Sequence, residues 1–202
     1  MSIMSALPAS DTPMTEADYL AFERESDEKH EFFDGQIRAM TGASEAHNLV
    51  VSSTIIALGS QLRGRDCKIY PSDMKVRTPS TRSYVYPDIT IVCDAARFDD
   101  EYRDILLNPT LIIEVLSPST EADDRGKKFQ RYREIPSLQE YILTAQDNPR
   151  VERFARQHNN LWQLSEARGQ DGVLNLRVIG CRLALSDVYE QVRFETPDRN
   201  ET

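Results

Sequence analysis

Cysteine is scarce in this sequence: Cys67, Cys93 and Cys181 are the only three in 202 residues, and they stand too far apart for a zinc site. An odd, sparse count predicts reduced thiols, buried as core filler in a cytoplasmic protein. Long apolar runs are also missing. No stretch approaches the roughly 18 consecutive apolar residues of a membrane helix, and residues 1–11 lack the basic-then-apolar order of a secretory signal. The expectation is a cytoplasmic protein with no membrane partner. Positive charge is in deficit, with 24 Lys and Arg against 33 Asp and Glu and a formal net charge of -9. That balance argues against nonspecific nucleic-acid binding over the whole surface, which needs cations to displace counterions. It leaves room for a local basic groove, because the field in a cleft can differ in sign from the total.

What is present reads as one globular unit. The 40% hydrophobic and 28% charged content is ordinary, and the length favours a single domain with a real core. The expected organisation is a flexible lead-in (1–13), one domain (14–194) and a flexible tail (195–202). Thr15 caps a helix reaching about residue 25, and Ser44 caps another reaching about residue 63. Between them, 29–40 reads as a hairpin turning on Asp34-Gly35. Strands are expected at 67–71, 73–78, 84–93 and 111–116, then a polar helix over 121–134 and a strand at 140–145. Short strands at 151–155, 161–164 and 173–179 precede a short helix after Ser186. The order is α/β (an α+β mixed sheet), most economically one central sheet flanked by helices.

The anomaly is Glu114, a carboxylate inside the apolar run Leu111-Ile112-Ile113-Glu114-Val115-Leu116. An isolated buried charge is strongly unfavourable unless it is paired or bound to a metal. Alternation puts Ile112, Glu114 and Leu116 on one face. Asp88 enters the preceding strand directly after Pro87, and if the two strands are neighbours both carboxylates share a face. Two carboxylates that close repel unless a proton or a cation lies between them, and Mg²⁺ suits such oxygen ligands. The helix over 121–134 carries Lys128 and Tyr132 four residues apart on one face, placed to aim an ammonium at the site.

The plainer readings are a buried salt bridge from Glu114 to Lys128 or Arg125, and a solvated basic face for Lys127 and Lys128. Glu31 can be an exposed strand residue. His47, on a first helical turn, and Asp73, at a strand end, are ordinarily structural. Tyr141 and Trp162 read as packing aromatics.

Pro87-Asp88, followed 26 residues later (114 − 88) by Glu114, resembles the PD-(D/E)xK signature of restriction-endonuclease-like nucleases. More closely, the chain resembles the Uma-family restriction endonucleases over roughly residues 14–190. The landmarks are His30-Glu31-Phe32 before Asp34-Gly35, His47, Tyr86-Pro87-Asp88 and Glu114-Val115-Leu116-Ser117-Pro118-Ser119-Thr120. Asp124-Arg125-Gly126-Lys127-Lys128-Phe129, Tyr132 and Pro136-Ser137-Leu138-Gln139-Glu140-Tyr141 continue the match. The resemblance implies a restriction-endonuclease-like core and a Mg²⁺-dependent endonuclease (Mn²⁺ substituting) that acts on DNA. Asp88, Glu114 and the Val115 carbonyl would be metal ligands, Glu31 an additional acidic residue, and Lys128 the lysine. The chain departs from the signature at Leu116, where a lysine is expected, and Lys128 supplies it from the next helix, 14 residues on (128 − 114). A homodimer is expected, because a two-fold pair most simply cuts both strands. The alternative is a degenerate nuclease-fold protein that binds nucleic acid or a protein partner without cutting.

Overall fold

The computed structural model describes residues 13–79 and 82–194. Pro13 apart, the expected lead-in and tail lie outside these residues. Helix α1 (Glu16–Glu25) starts where the Thr15 hydroxyl accepts from the Asp18 N–H at 3.2 Å, with Glu16 and Asp18 at its positive end. Strands β1 (His30–Phe33) and β2 (Gln36–Ala39) form the hairpin, turning on Asp34 (φ 48°) and Gly35 (φ 85°). Glycine is required at 35 for a second reason: a Cβ there would stand 2.6 Å from the Pro13 Cβ. Helix α2 (Glu45–Leu62) is capped by Ser44, whose hydroxyl accepts from the His47 N–H at 3.1 Å.

The strands divide between two sheets and a small ribbon, where a single sheet was expected. The larger sheet contains β3 (Cys67–Pro71), β6 (Ile89–Cys93), β8 (Leu111–Leu116), β9 (Glu140–Ala145), β10 (Arg150–Arg156) and β11 (Trp162–Arg168). Their spatial order is β11-β10-β9-β8-β6-β3, antiparallel except for the β8–β9 pair. The second sheet runs β2-β1-β5-β4-β7, adding β4 (Lys75–Thr78), β5 (Ser83–Val85) and β7 (Ile105–Leu106). The ribbon is β12 (Val173–Leu176) with β13 (Cys181–Ala184). It corrects the expected strand over 173–179, which stops at Leu176 and turns back at Gly180 (φ 59°).

The expected single strand over 84–93 is also two. Pro87 has no N–H to continue a ladder, so the chain leaves the five-stranded sheet after Val85 and enters the six-stranded one at Ile89. A further correction concerns the thiols. β3 and β6 pair with Cys67 directly opposite Cys93, Cα atoms 4.0 Å apart, and the two form a disulfide; Cys181 alone is free and buried. Twenty-six residues of sequence separate the pair, so only the strand register brings them together.

Alternation along β8 sorts the core. Leu111, Ile113 and Val115 face α2 and the ribbon. Ile112 and Leu116 face Tyr132, Ile135, Leu138 and the second sheet's Val76 and Val85. Glu114 belongs to this second face. Covering it is one helical segment, α3 (Glu121–Asp123), a π turn (Asp124–Lys128) and α4 (Phe129–Tyr132). The chain closes with α5 (Leu185–Val188).

Candidate active site

The β6–β8 register pairs Ile89 with Ile113; one residue further it sets Asp88 opposite Glu114 on the same face. The Asp88 N–H donates to Glu114 Oε2 at 3.2 Å, and the Val115 N–H donates to Asp88 Oδ2 at 2.7 Å. Glu114 Oε1 accepts from the Tyr132 hydroxyl at 2.7 Å and lies 3.5 Å from Lys128 Nζ. Lys128 Nζ also lies 3.0 Å from Glu31 Oε1 and 3.5 Å from Asp124 Oδ1. The structure thus gathers Glu31, Asp88, Glu114 and Lys128 around one point between the two sheets. Glu31, Glu114 and Lys128 are 4%, 3% and 8% exposed.

The charges do not balance. Three carboxyl groups (Glu31, Glu114, Asp124) meet one ammonium, and a fourth, Asp88, adjoins Glu114, so acidic groups outnumber the lysine. Burial raises the Glu114 pKa well above the usual carboxylate range, and Asp124 and Asp88 raise it further, outweighing Lys128 and the Tyr132 hydrogen bond. Asp124 is raised for the same first reason, its burial. Burial opposes charge on Lys128, yet Glu114, Glu31 and Asp124 together hold its pKa well above the ordinary lysine value. The surroundings therefore favour charge on Lys128 and, by burial and like-charge neighbours, favour the protonated form of Glu114.

A second buried network supports the first. Glu23 of α1 accepts from the His30 N–H at 2.9 Å, meets His30 Nδ1 at 3.0 Å, and accepts from the Tyr86 hydroxyl at 2.7 Å. His30 directly precedes Glu31, and Tyr86 lies two residues before Asp88. One carboxylate therefore fixes both approaches to the site. His47, read from sequence as ordinarily structural, brings its Nε2 to 3.1 Å from Asp88 Oδ1. Asp124 and Tyr132 were not among the expected site residues; the signal for them is the four-residue spacing 124, 128, 132. Asp73 instead pairs with Lys29 at the surface, and Lys127 is exposed. Tyr141 stacks on Phe129 and donates to the Asp124 carbonyl, and Trp162 packs edge-on to Phe129.

The donors suit a divalent cation in their chemistry. Asp88 and Glu114 offer hard oxygens. The Val115 N–H and C=O leave the strand on the same edge, which aims the carbonyl toward Asp88. The surplus negative charge is a second point of fit. Among the described residues no three His, Cys, Asp or Glu already form a ligating group, and the Asp88 and Glu114 oxygens are met by protein partners. Binding an ion requires exchanging those bonds.

Residues 16–186 match the family model Uma2, described as "Putative restriction endonuclease". Two proteins of Synechocystis sp. (strain ATCC 27184 / PCC 6803 / Kazusa) align with most of the chain. Uncharacterized protein slr1290 is 36% identical over 177 residues, 88% of this chain and 92% of its own length. Uncharacterized protein sll1609 is 37% identical over 158 residues, 78% of this chain and 89% of its own. A crystal structure from Anabaena variabilis ATCC 29413, described as a putative nuclease belonging to DUF820, superposes with a TM-score of 0.73 at 17% identity. That alignment covers 90% of this chain and 100% of the other. The shared feature is the fold, a restriction-endonuclease-like arrangement of mixed sheets with few helices.

Proposed function

This chain belongs to the Uma2 restriction-endonuclease family, and from that premise we propose that it is a divalent-metal-dependent endonuclease hydrolysing DNA phosphodiester bonds. The observation that carries the reading is the convergence of Glu31, Asp88 and Glu114 with Lys128 at a buried point where negative charge is in excess. Asp88, Glu114 and the Val115 carbonyl would hold Mg²⁺ or Mn²⁺. When bound, such an ion acidifies water and neutralises charge on a phosphodiester. An ion would compete with the proton for Glu114, whose pKa burial raises. The Val115 N–H orients Asp88 from one side and His47 from the other, and the Tyr132 hydroxyl orients Glu114. Lys128, charged throughout, stabilises the negative charge that develops on the phosphate. Glu31 holds the ammonium through its 3.0 Å contact and offers a further oxygen to water or to an ion. The lysine of the family signature thus arrives from the helical segment in place of Leu116. A two-fold pair of chains would cut both strands, and sedimentation at micromolar concentration should show a dimer.

Cleavage of supercoiled plasmid and single-stranded DNA with Mg²⁺ or Mn²⁺ is the direct test. Asp88→Asn and Glu114→Gln should each lower the rate at least ~100-fold, the scale of one electrostatic contributor. Activity surviving both substitutions would sink the assignment. One observation favours a second reading, a protein that binds nucleic acid or a partner without cutting: the Asp88 and Glu114 oxygens are already met by protein partners. Calorimetric titration with Mn²⁺ separates the two, since a non-cutting site of that kind should take up no ion through Asp88 and Glu114.

A further inference from the structure

Asp124 has no part in the reaction drawn above, yet at 2% exposed it is the most enclosed carboxylate of the cluster. Its Oδ1 is buried and takes no hydrogen bond; Lys128 Nζ pairs with it at 3.5 Å. Burying a carboxylate is costly even when it is paired, so its retention there calls for a reason. The backbone gives a second indication. Asp124–Lys128 is a π turn set between α3 and α4, and such local widenings collect at functional sites. Here Asp124, Lys128 and Tyr132 are all buried on the inward face, while Lys127 and Arg133 of the same segment are exposed.

We propose that Asp124 is a positioning residue of this site, holding Lys128 in place when a divalent cation engages Asp88 and Glu114. This rests on the metal-dependent reading. Lys128 has three carboxylate neighbours in the ion-free protein. A cation on Glu114 removes one of them and also repels the ammonium at short range. Glu31 alone, reaching over from the other sheet, would leave a compact charge on a flexible four-carbon stem free to swing. Asp124 is the second anchor and lies on the lysine's own helical segment, so the pair moves as one body. Released from it, the ammonium would stay near Glu114 and compete with the ion.

Mn²⁺ dissociation constants, read by calorimetry for wild type, Asp124→Asn, Lys128→Gln and the double variant, test this without relying on turnover. Asp124→Asn should weaken Mn²⁺ binding about threefold or more in the wild-type background, and change it less than twofold when Lys128 is already Gln. A loss of tenfold or more in the Lys128→Gln background makes Asp124 a ligand and overturns the proposal; no loss in either background overturns it also. Should the Lys128 variants not fold, the ¹⁵N ammonium signal of Lys128 in protein loaded with diamagnetic Mg²⁺ gives the answer. Asp124→Asn should speed its hydrogen exchange at least tenfold, and an unchanged rate refutes the role. In cleavage, kcat should fall at least tenfold with KM within twofold. A wild-type protein that binds no Mn²⁺ at all is a different result, because it removes the metal reading itself.

Discussion

Burial, with Asp124 and Asp88 beside it, raises the Glu114 pKa well above the usual carboxylate range against the pull of one ammonium and one hydroxyl. That has a thermodynamic consequence of definite sign. A carboxyl whose folded pKa is raised binds a proton that the unfolded chain releases. Its stabilising contribution is full below the ordinary value of 4.5 and is lost as pH rises toward the folded value. Urea midpoints measured in EDTA should therefore fall between pH 5 and pH 8. Glu114→Gln should flatten that slope and raise the midpoint at pH 8, and Mn²⁺ should restore the wild type at pH 8 by taking the proton's place. A wild-type midpoint that rises over this range would contradict the assignment of the proton to Glu114. At the same scale, Glu23→Ala strands two buried donors, the His30 N–H and the Tyr86 hydroxyl. It should cost about 2–4 kcal/mol in urea unfolding, roughly one buried unsatisfied group each.

Among the elements, what could be read in advance depended on how local the signal was. The caps at Thr15 and Ser44, the Asp34-Gly35 turn and the apolar run of β8 are written in adjacent residues, and the structure places those elements where the patterns put them. The facing of Asp88 and Glu114 followed from one assumption, that two successive strands are neighbours, and β6 and β8 are. The division into two sheets was not legible. It depends on Pro87 interrupting a run whose composition on either side is equally strand-like. The Cys67–Cys93 bridge was hidden for a related reason, since no short-range pattern reports that β3 returns beside β6. Asp124 was missed because an acidic residue at a helix start is ordinarily exposed and favourable there. Closing a loop of 26 residues, the disulfide should contribute about 2–4 kcal/mol. Unfolding in dithiothreitol, or of Cys93→Ser, should show that loss; equal stability with and without reductant would mean that the bridge does not form in solution.

For the molecule as a whole, a net charge of -9 would oppose the proposed polyanionic substrate, and the carboxyl groups of the site would add to that opposition without a cation. DNA binding should accordingly depend on a divalent ion more than on a basic surface. In fluorescence anisotropy with a labelled duplex, Ca²⁺ should tighten binding at least ~10-fold over EDTA, a change of about 1.4 kcal/mol. Equal affinity in both buffers would point to a basic groove elsewhere. The short Tyr86-Pro87-Asp88 passage between sheets matters here in a mechanical sense. Glu114 lies in the six-stranded sheet and Asp88 directly precedes its strand β6, so sliding one sheet over the other leaves their spacing almost untouched. Glu31 travels with the other sheet, and the same slide lengthens or shortens its reach to Lys128. Glu114 and the glutamate that holds the lysine therefore sit on different sheets. On the proposed reading, strain along that seam would alter the reach of Glu31 to Lys128 and leave the spacing of Asp88 and Glu114 nearly unchanged.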